Sequence, residues 1–300
     1  EGSSPRGAGV HGKDAAVART ARADLARFVG AQDIPPLQSW LKKRLPGPAR
    51  EALLSVLSGI GEASGFLAGK IADPRDADAD VLLKLLTEAE RGDPAALLAE
   101  LAGALHPHLT LRKTLPEERL AAVVRMSAPR PGPESTRLLY RIAIQDRHAG
   151  VRKSAGEVLG LRKDPEVLAA VINLLATGSG QLAERASNLS EHLADASLVS
   201  PLIDSLASAL AARERAELRQ RREQQDHPLG MFGSGPIFGE GSGRSPFGLN
   251  DFLLDPGDNG SAIEFSRIAA QATALERLTG KAFGEDLRSW RKWLLEQKKE

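Results

Sequence analysis

Residues 146–160 read DRHAGVRKSAGEVLG, and this stretch decides the fold. Asp146 stands where a side-chain oxygen can cap the free backbone N–H groups of a following helix. Val151 and Ala155 lie four residues apart, so they share one face of that helix and are expected to enter the core. The stretch therefore predicts a tight turn followed by a short helix that packs through small and branched residues.

The pattern recurs when the chain is shifted by 31 residues, from 124 to 155 to 186. Apolar or small residues then coincide in three sets: Val124, Ala155 and Ala186; Tyr140, Val171 and Leu202; Ile144, Leu175 and Leu206. Pro133, Asp164 and Asp195 coincide where a helix has to begin. Each unit reads as two short helices joined by a tight turn. Because one pair leaves apolar surface uncovered, stacked pairs with a continuous core are expected.

Residues 133–210 resemble bacterial HEAT-repeat proteins, whose turn and second helix carry an Asp, then Val-Arg, a small residue and Leu-Gly. The matching residues here are Asp146, Val151, Arg152, Ala155, Leu159 and Gly160. The next unit lacks Val-Arg, and residues 37–128 fit the architecture but not the motif. The resemblance implies an all-α solenoid of stacked antiparallel helix pairs. It also implies that Asp146 accepts a hydrogen bond from an Arg of the neighbouring repeat.

The repeat is shorter than the roughly 40–47 residues of eukaryotic HEAT repeats. It is nearer the compact bacterial variety, which includes relatives of phycobilin lyases. The C-terminal residues also resemble a tail on many bacterial HEAT-like proteins: Leu278, Thr279, Gly280, Phe283, Gly284, Asp286, Trp290, Arg291 and Trp293. Gly280 is expected to end a helix in the left-handed conformation, and Asp286 to start the last one. Trp290 and Trp293 share a face that can cover the end of the repeats, an aromatic ligand cage being the alternative.

The chain divides into five predicted segments. They are a disordered N-terminal segment (1–12), an N-terminal helical region (13–128), the HEAT-like repeats (129–225), a flexible Gly/Pro/Phe-rich loop (226–260), and the C-terminal helices with their cap (261–300). Residues 228–260 contain nine Gly and four Pro, above the roughly 25–30% that marks low complexity. Four of the eight phenylalanines lie there: Phe232, Phe238, Phe247 and Phe252. They either pack loosely over the repeats or dock into a partner.

Composition narrows the class of protein. Lys and Arg number 40 against 39 Asp and Glu, so the net charge of +1 creates no global field for nucleic acid or acidic lipid. The absence of cysteine removes thiol catalysis, cysteine-ligated zinc and iron–sulfur clusters. Abundant Ala and Leu with only 4% aromatic residues favour helices, and essentially no sheet is expected.

The most apolar stretch, residues 52–68, is interrupted by Glu62 and by glycines, which disfavour a membrane span. It predicts a helical hairpin in which Gly61, Gly65 and Gly69 allow close backbone approach. Residue 1 is Glu1 rather than Met. Export to the periplasm after removal of an N-terminal signal and a cytoplasmic location both stay open, as does the oligomeric state.

Motifs for catalysis or metal binding are incomplete. Residues 65–71 lack the phosphate-loop spacing, and the acidic residues 73–80 lack the glycine and terminal glutamate of a calcium loop. Capping by Asp78 or Asp80 is expected there instead. His106 and His108 flank a proline and are expected at a helix break. No catalytic residue, metal ion or cofactor is predicted.

The sequence therefore predicts a non-catalytic scaffold that binds a protein or peptide. In such stacks the second helix of each pair lines the inner surface. The polar candidates on it are Arg152, Lys153, Arg185 and Arg267, which favour acidic or carboxylate-bearing segments. A tetrapyrrole-handling, lyase-like protein is one alternative, implied by the resemblance to phycobilin lyases.

A HEAT-like nucleic-acid-binding protein is the other alternative, although no nucleic acid is the expected partner. The resemblance implies it, because some HEAT-like DNA-repair folds bind phosphates. A basic helix for nucleic acid is also one reading of a run of arginines: Arg213, Arg215, Arg219, Arg221 and Arg222. Glu214, Glu217 and Glu223 interrupt this run, so its mixed charges favour a solvated extension of a helix.

Overall fold

The computed structural model describes residues 31–43, 45–88, 95–110, 115–178, 180–225, 260–297 and 299. Every regular element within these ranges is a helix, which confirms the all-α class. Phe232, Phe238, Phe247 and Phe252 lie outside the described residues, as do the predicted disordered segment 1–12 and residues 226–259 of the predicted loop.

The chain forms two compact units, Glu1–Arg141 and Ile142–Glu300. The helices that begin in the first unit are α1 (Ile34–Leu41), α2 (Gly47–Ser58), α3 (Ser64–Ala72), α4 (Asp78–Glu88), α5 (Ala95–Thr110), α6 (Glu117–Ser127) and α7 (Pro133–Gln145), with single 3-10 turns at Ala31–Asp33 and Gly61–Ala63. The boundary between the units falls inside α7. Helix α2 contacts α4, α4 contacts α6, and α3 contacts α5, so helices two places apart lie side by side.

The region of the predicted hairpin forms two helices, α2 and α3, which meet at a bend of 109°. The role predicted for its glycines is wrong. A Cβ at Gly61 or Gly69 would meet nothing within 4 Å, and one at Gly65 would meet only the Glu100 side chain, at 3.6 Å. None of the described helices is by itself long and apolar enough to cross a membrane. Helices α2 and α3, taken together as a bent pair, have the required length and apolar composition.

Helix α5 corrects a second expectation. His106 and His108 do not mark a helix break, because α5 continues through Pro107 to Thr110. Pro107 has no N–H to donate to the carbonyl four residues earlier, that of Gly103, so one bond of the helix is missing. Such a gap can bend a helix without ending it.

The second unit continues with α8 (Ala149–Arg162), α9 (Pro165–Thr177), α10 (Gly180–Leu193), a 3-10 turn (Ala196–Leu198), α11 (Val199–Gln225), α12 (Gly260–Thr279) and α13 (Leu287–Gln297). Helices α8, α10 and α12 contact one another in succession, and α9 contacts α11. Helix α9 also packs on α10, and α11 packs on α12.

The 31-residue register is visible in burial and in the backbone. All nine apolar or small positions aligned by the repeat are at most 3% exposed. Asp164 accepts from Glu166 N and Asp195 from Ser197 N, each at 2.8 Å, which confirms both predicted caps. The residues just before them, Lys163 and Ala194, have left-handed φ values of 51° and 50°. The turn between helices therefore has one conformation in both places.

The close backbone approach lies between α8 and α10. A Cβ at Gly160 would stand 2.1 Å from the carbonyl oxygen of His192, and one at Gly156 would stand 2.8 Å from its ring. Gly160 is the glycine of the Leu-Gly motif, so the motif supplies the space that the neighbouring helix needs. Burial lowers the pKa of His192, which keeps the imidazole neutral against this glycine face.

The helix end predicted at Gly280 and the helix start predicted at Asp286 are confirmed. Gly280 has a φ of +68° and ends α12, and Asp286 caps α13 by accepting from Arg288 N at 3.0 Å. Trp290 is fully buried, and its Nε1 donates to the Gly284 carbonyl at 2.9 Å. Its ring stands edge-on to Phe283 and Trp293, with centroids 4.8 and 6.3 Å away. These contacts seal the last helix, which packs against α11.

Candidate functional site

Two predicted binding residues, Arg152 on α8 and Arg185 on α10, meet at the C-terminal end of α7. Their Nη1 atoms donate to four successive carbonyl oxygens, those of residues 144–147, over 2.8–3.1 Å. The last carbonyls of a helix lack partners within it, and the negative end of its dipole favours cations. The fold thus gathers both guanidinium groups at one helix terminus; we call them the arginine pair.

The arginine pair is electrostatically strained. Burial, together with the positive charge of Arg152, lowers the pKa of Arg185 to about 10, although Glu184 and Asp146 oppose the shift. The pKa of Arg152 is also lowered by burial, although Asp146 and Glu184 oppose that shift. An anion that binds beside two neighbouring cations at a partly buried site lowers their electrostatic repulsion and so stabilises their charged forms.

The two carboxylates beside the arginine pair bond to other groups. Asp146 accepts from the backbone N–H of His148 at 2.6 Å, and its oxygen lies 3.0 Å from His148 Nδ1. Glu184 accepts from Ser266 Oγ at 2.8 Å. The expected bond from a neighbouring arginine to Asp146 is therefore corrected: Arg185 bonds to the carbonyls of Ile144 and Gln145 instead. A helix end offers several acceptors to one guanidinium, whereas Asp146 is already capping the next turn.

Several donors of the arginine pair stay available. A guanidinium carries five N–H groups in a planar fork. Within the described part of the chain only Nη1 of Arg152 and of Arg185 makes hydrogen bonds, and both side chains are half-buried. The Nε and Nη2 edges can therefore donate to an external carboxylate or phosphate, the groups that this fork fits best.

The other two predicted arginine and lysine candidates lie elsewhere. Lys153 is exposed on α8, 4.0 Å from Glu157 on the same helix. Arg267 is 7% exposed and faces α11, where Nη2 donates to Ser205 Oγ at 3.2 Å, so it does not lie on the outer side of α12. Gln271 Nε2 donates to the same hydroxyl at 2.8 Å. The structure thus brings Arg152 and Arg185 together and separates Lys153 and Arg267 from them.

A buried ionic cluster that the sequence analysis missed lies in the first unit. Asp78, at the start of α4, accepts from Arg50 Nη2 and Lys70 Nζ, both at 2.8 Å, and Lys70 also reaches Asp76 at 2.8 Å. Burial alone would raise the pKa of Asp78, but the hydrogen bonds from Arg50 and Lys70 outweigh it and lower the pKa. The signal was present in the run of aspartates at 73–80, which needs counter-charges when it is buried.

This cluster also corrects the predicted capping. Asp76, rather than Asp78 or Asp80, accepts at the start of α4, from Asp78 N at 2.8 Å. Arg119, on α6, donates to the Asp76 carbonyl at 3.2 Å and to Asp80 Oδ1 at 3.3 Å. The acidic run is thereby neutralised by cations of neighbouring helices. In the described ranges, no three His, Cys, Asp or Glu side chains are grouped as a metal ion requires.

No protein-family model, curated protein or solved structure matches the chain. What the protein binds is therefore inferred from its own side chains. In the ionic cluster around Asp78, the charged side chains of the protein pair with one another. The arginine pair alone combines two close cations with donors that no described residue uses.

Proposed function

We propose that this protein is a non-catalytic scaffold built as a HEAT-like α-solenoid, and that it binds an acidic segment of a partner protein. The binding surface would be the solvent-facing side of α8, α10 and α12, the second helices of three successive pairs, which in such a solenoid forms the inner surface. Stacked pairs leave such a surface exposed along their whole length, which suits an extended partner.

The contacts between second helices support the stacked arrangement. Glu184 near the start of α10 bonds to Ser266 near the start of α12, and Glu191 near the end of α10 lies 2.7 Å from Arg277 near the end of α12. These two links require α10 and α12 to run in the same direction. Parallel second helices are what stacking of identical helix pairs produces.

The arginine pair is the observation that carries the proposed ligand. Main-chain carbonyls hold the Arg152 and Arg185 side chains in place before a ligand binds. Binding therefore costs little further side-chain entropy. An Asp or Glu side chain can accept two parallel hydrogen bonds from a guanidinium, which a chloride or an amide cannot. A carboxylate also relieves the repulsion between the two cations.

Binding of a labelled, unstructured Glu/Ser/Gly peptide to the full chain, followed by fluorescence anisotropy, tests this proposal. We expect Arg152→Gln together with Arg185→Gln to weaken binding by about tenfold or more, equivalent to about 1.4 kcal/mol. The matched control, Arg288→Gln with Arg291→Gln, removes two exposed charges from α13 and should change binding less than about twofold.

Arg152→Lys with Arg185→Lys separates charge from shape. Lysine keeps the positive charge but loses the planar fork, so binding should remain weak. Thermal unfolding of each variant shows whether the helices still pack. Equal weakening by the α13 control, or full binding by the lysine variant, would contradict a dedicated carboxylate site.

A further inference from the structure

The distal part of α11 has one packed side, marked by Arg213. The Arg213 guanidinium lies 5.5 Å above the ring of Phe265, and Nη1 donates to Glu285 at 2.9 Å. Glu217, four residues later, is 3.8 Å from Arg213 Nε. This side of α11 therefore faces α12 and the turn before α13.

The opposite side of α11 carries a stripe of arginines around an exposed leucine. At 3.6 residues per turn, Arg215, Leu218, Arg219 and Arg222 lie within about 60° of the side opposite Arg213. All four are exposed, and Leu218 is 48% exposed. Their spacing of i, i+3, i+4 and i+7 makes one continuous ridge, which we call the α11 basic stripe.

Among the side chains that the structure describes, the arginines of the α11 basic stripe have no acidic partner. Arg215 Nε donates only to the Ala211 carbonyl of its own helix, at 3.1 Å. Glu217 is directed toward Arg213. A row of cations around an apolar side chain is complementary to a row of carboxylates around another apolar side chain.

We infer that the α11 basic stripe binds an amphipathic acidic helix of a partner protein. Carboxylates at i, i+4 and i+7 of that helix would face the three arginines, and an apolar residue between them would cover Leu218. A nucleic-acid strand fits this ridge less well, because Leu218 at its centre offers phosphate nothing. This surface lies on a different helix from the arginine pair and does not rest on the proposed function.

A synthetic helical peptide with Glu at i, i+4 and i+7 around one Leu tests the inference with the full chain. We expect Arg215→Glu, Arg219→Glu and Arg222→Glu together to weaken its binding by about tenfold or more. Leu218→Ser should weaken it by about threefold through loss of apolar contact. The charge-matched control, Arg288→Glu, Arg291→Glu and Lys292→Glu on α13, should leave affinity within about twofold.

The Arg152→Gln, Arg185→Gln variant should also bind this helical peptide normally, which distinguishes the two surfaces. The milder Arg215→Gln, Arg219→Gln, Arg222→Gln variant repeats the test if the glutamates disturb folding. Unchanged binding in both stripe variants overturns the inference. Tighter binding of a 20-base-pair DNA duplex than of the peptide, lost in the same variants and steeply salt-dependent, would overturn it in favour of nucleic acid.

Discussion

Gly160 shows how a missing side chain sets the spacing of two helices. Its position against the His192 carbonyl leaves no room for even one methyl group. Protein cores are packed to crystal density, so an added carbon here has to displace backbone rather than fill a void. The sequence alone indicated that this glycine belonged to a motif, and the structure gives the reason.

Gly160→Ala is expected to destabilise the protein by about 1–3 kcal/mol, because the new Cβ overpacks the contact between α8 and α10. Gly103→Ala is the matched control. Gly103 lies within α5 with nothing within 4 Å of an added Cβ. It should therefore stabilise by about 0.5–1 kcal/mol through helix propensity. Urea unfolding of both variants measures the difference. Equal free energies of unfolding would contradict a close contact between α8 and α10 at Gly160.

Single residues were predictable where the reason is local. Asp164 and Asp195 cap the helices that follow them, and Gly280 takes the left-handed conformation, as the sequence predicted. The expected close approach at Gly61 and Gly69 failed, because it depends on what a distant part of the chain places beside them. A helix cap depends on residues that are adjacent in the sequence. Helix packing depends on residues that are distant in the sequence.

At the scale of elements, α4 depends on charges brought by α2 and α3. Asp78 at its first turn has a side chain only 4% exposed and is bonded to Arg50 and Lys70. Removing one partner of a buried ion pair leaves the others without compensation. The Asp78 carboxylate therefore makes the charged contacts that hold α4 against α2 and α3.

Asp78→Asn should cost about 3 kcal/mol of stability at neutral pH. Asp80→Asn, whose side chain is 73% exposed, is the control and should stay within about 0.5 kcal/mol of the parent. Since the folded protein lowers the pKa of Asp78, its contribution is complete above the unfolded value of about 3.8 and is lost as the pH falls below it. Urea unfolding from pH 7 to pH 3 should therefore show a difference between the parent and the Asn variant that narrows at the acidic end. Curves that stay parallel would count against this role.

The contact between α11 and α12 explains why Arg267 was misjudged as a surface residue. Ser205 accepts from both Arg267 and Gln271, while Arg267 Nε and Gln271 Oε1 are buried in the described structure with no protein partner. A charged residue is normally exposed, so sequence reasoning assigned it to the outer side. The period of a helix shows which residues share a side of it. When two sides carry polar residues, the period does not show which of them faces the neighbouring helix.

At the scale of the whole molecule, the repeat could be found from residue 124 onward and not before it. Helices α8 and α10 each span 14 residues and begin 31 residues apart, so one shift of the sequence aligns them. In the first unit α1 spans 8 residues and α5 spans 16, yet α2, α4 and α6 still pack in succession. Alternating contacts survive changes in helix length, whereas a fixed period does not.

The four phenylalanines of residues 226–260 allow a test on the whole chain. The contacts of α12 with α10 and α11 are made by described residues. We therefore expect Phe232→Ser, Phe238→Ser, Phe247→Ser and Phe252→Ser together to leave helix content unchanged and the melting temperature within about 2 °C. Circular dichroism during heating measures both. A loss of cooperativity would assign these side chains to the core.

The packing of the tryptophans provides an optical reporter in each unit. Trp40 in the first unit is 52% exposed, whereas Trp290 in the second is sealed beside Phe283 and Trp293. Because indole emission shifts to longer wavelength in water, the native spectrum combines a red component from one half with a blue component from the other. The loss of each half can consequently be followed by fluorescence without attaching a dye.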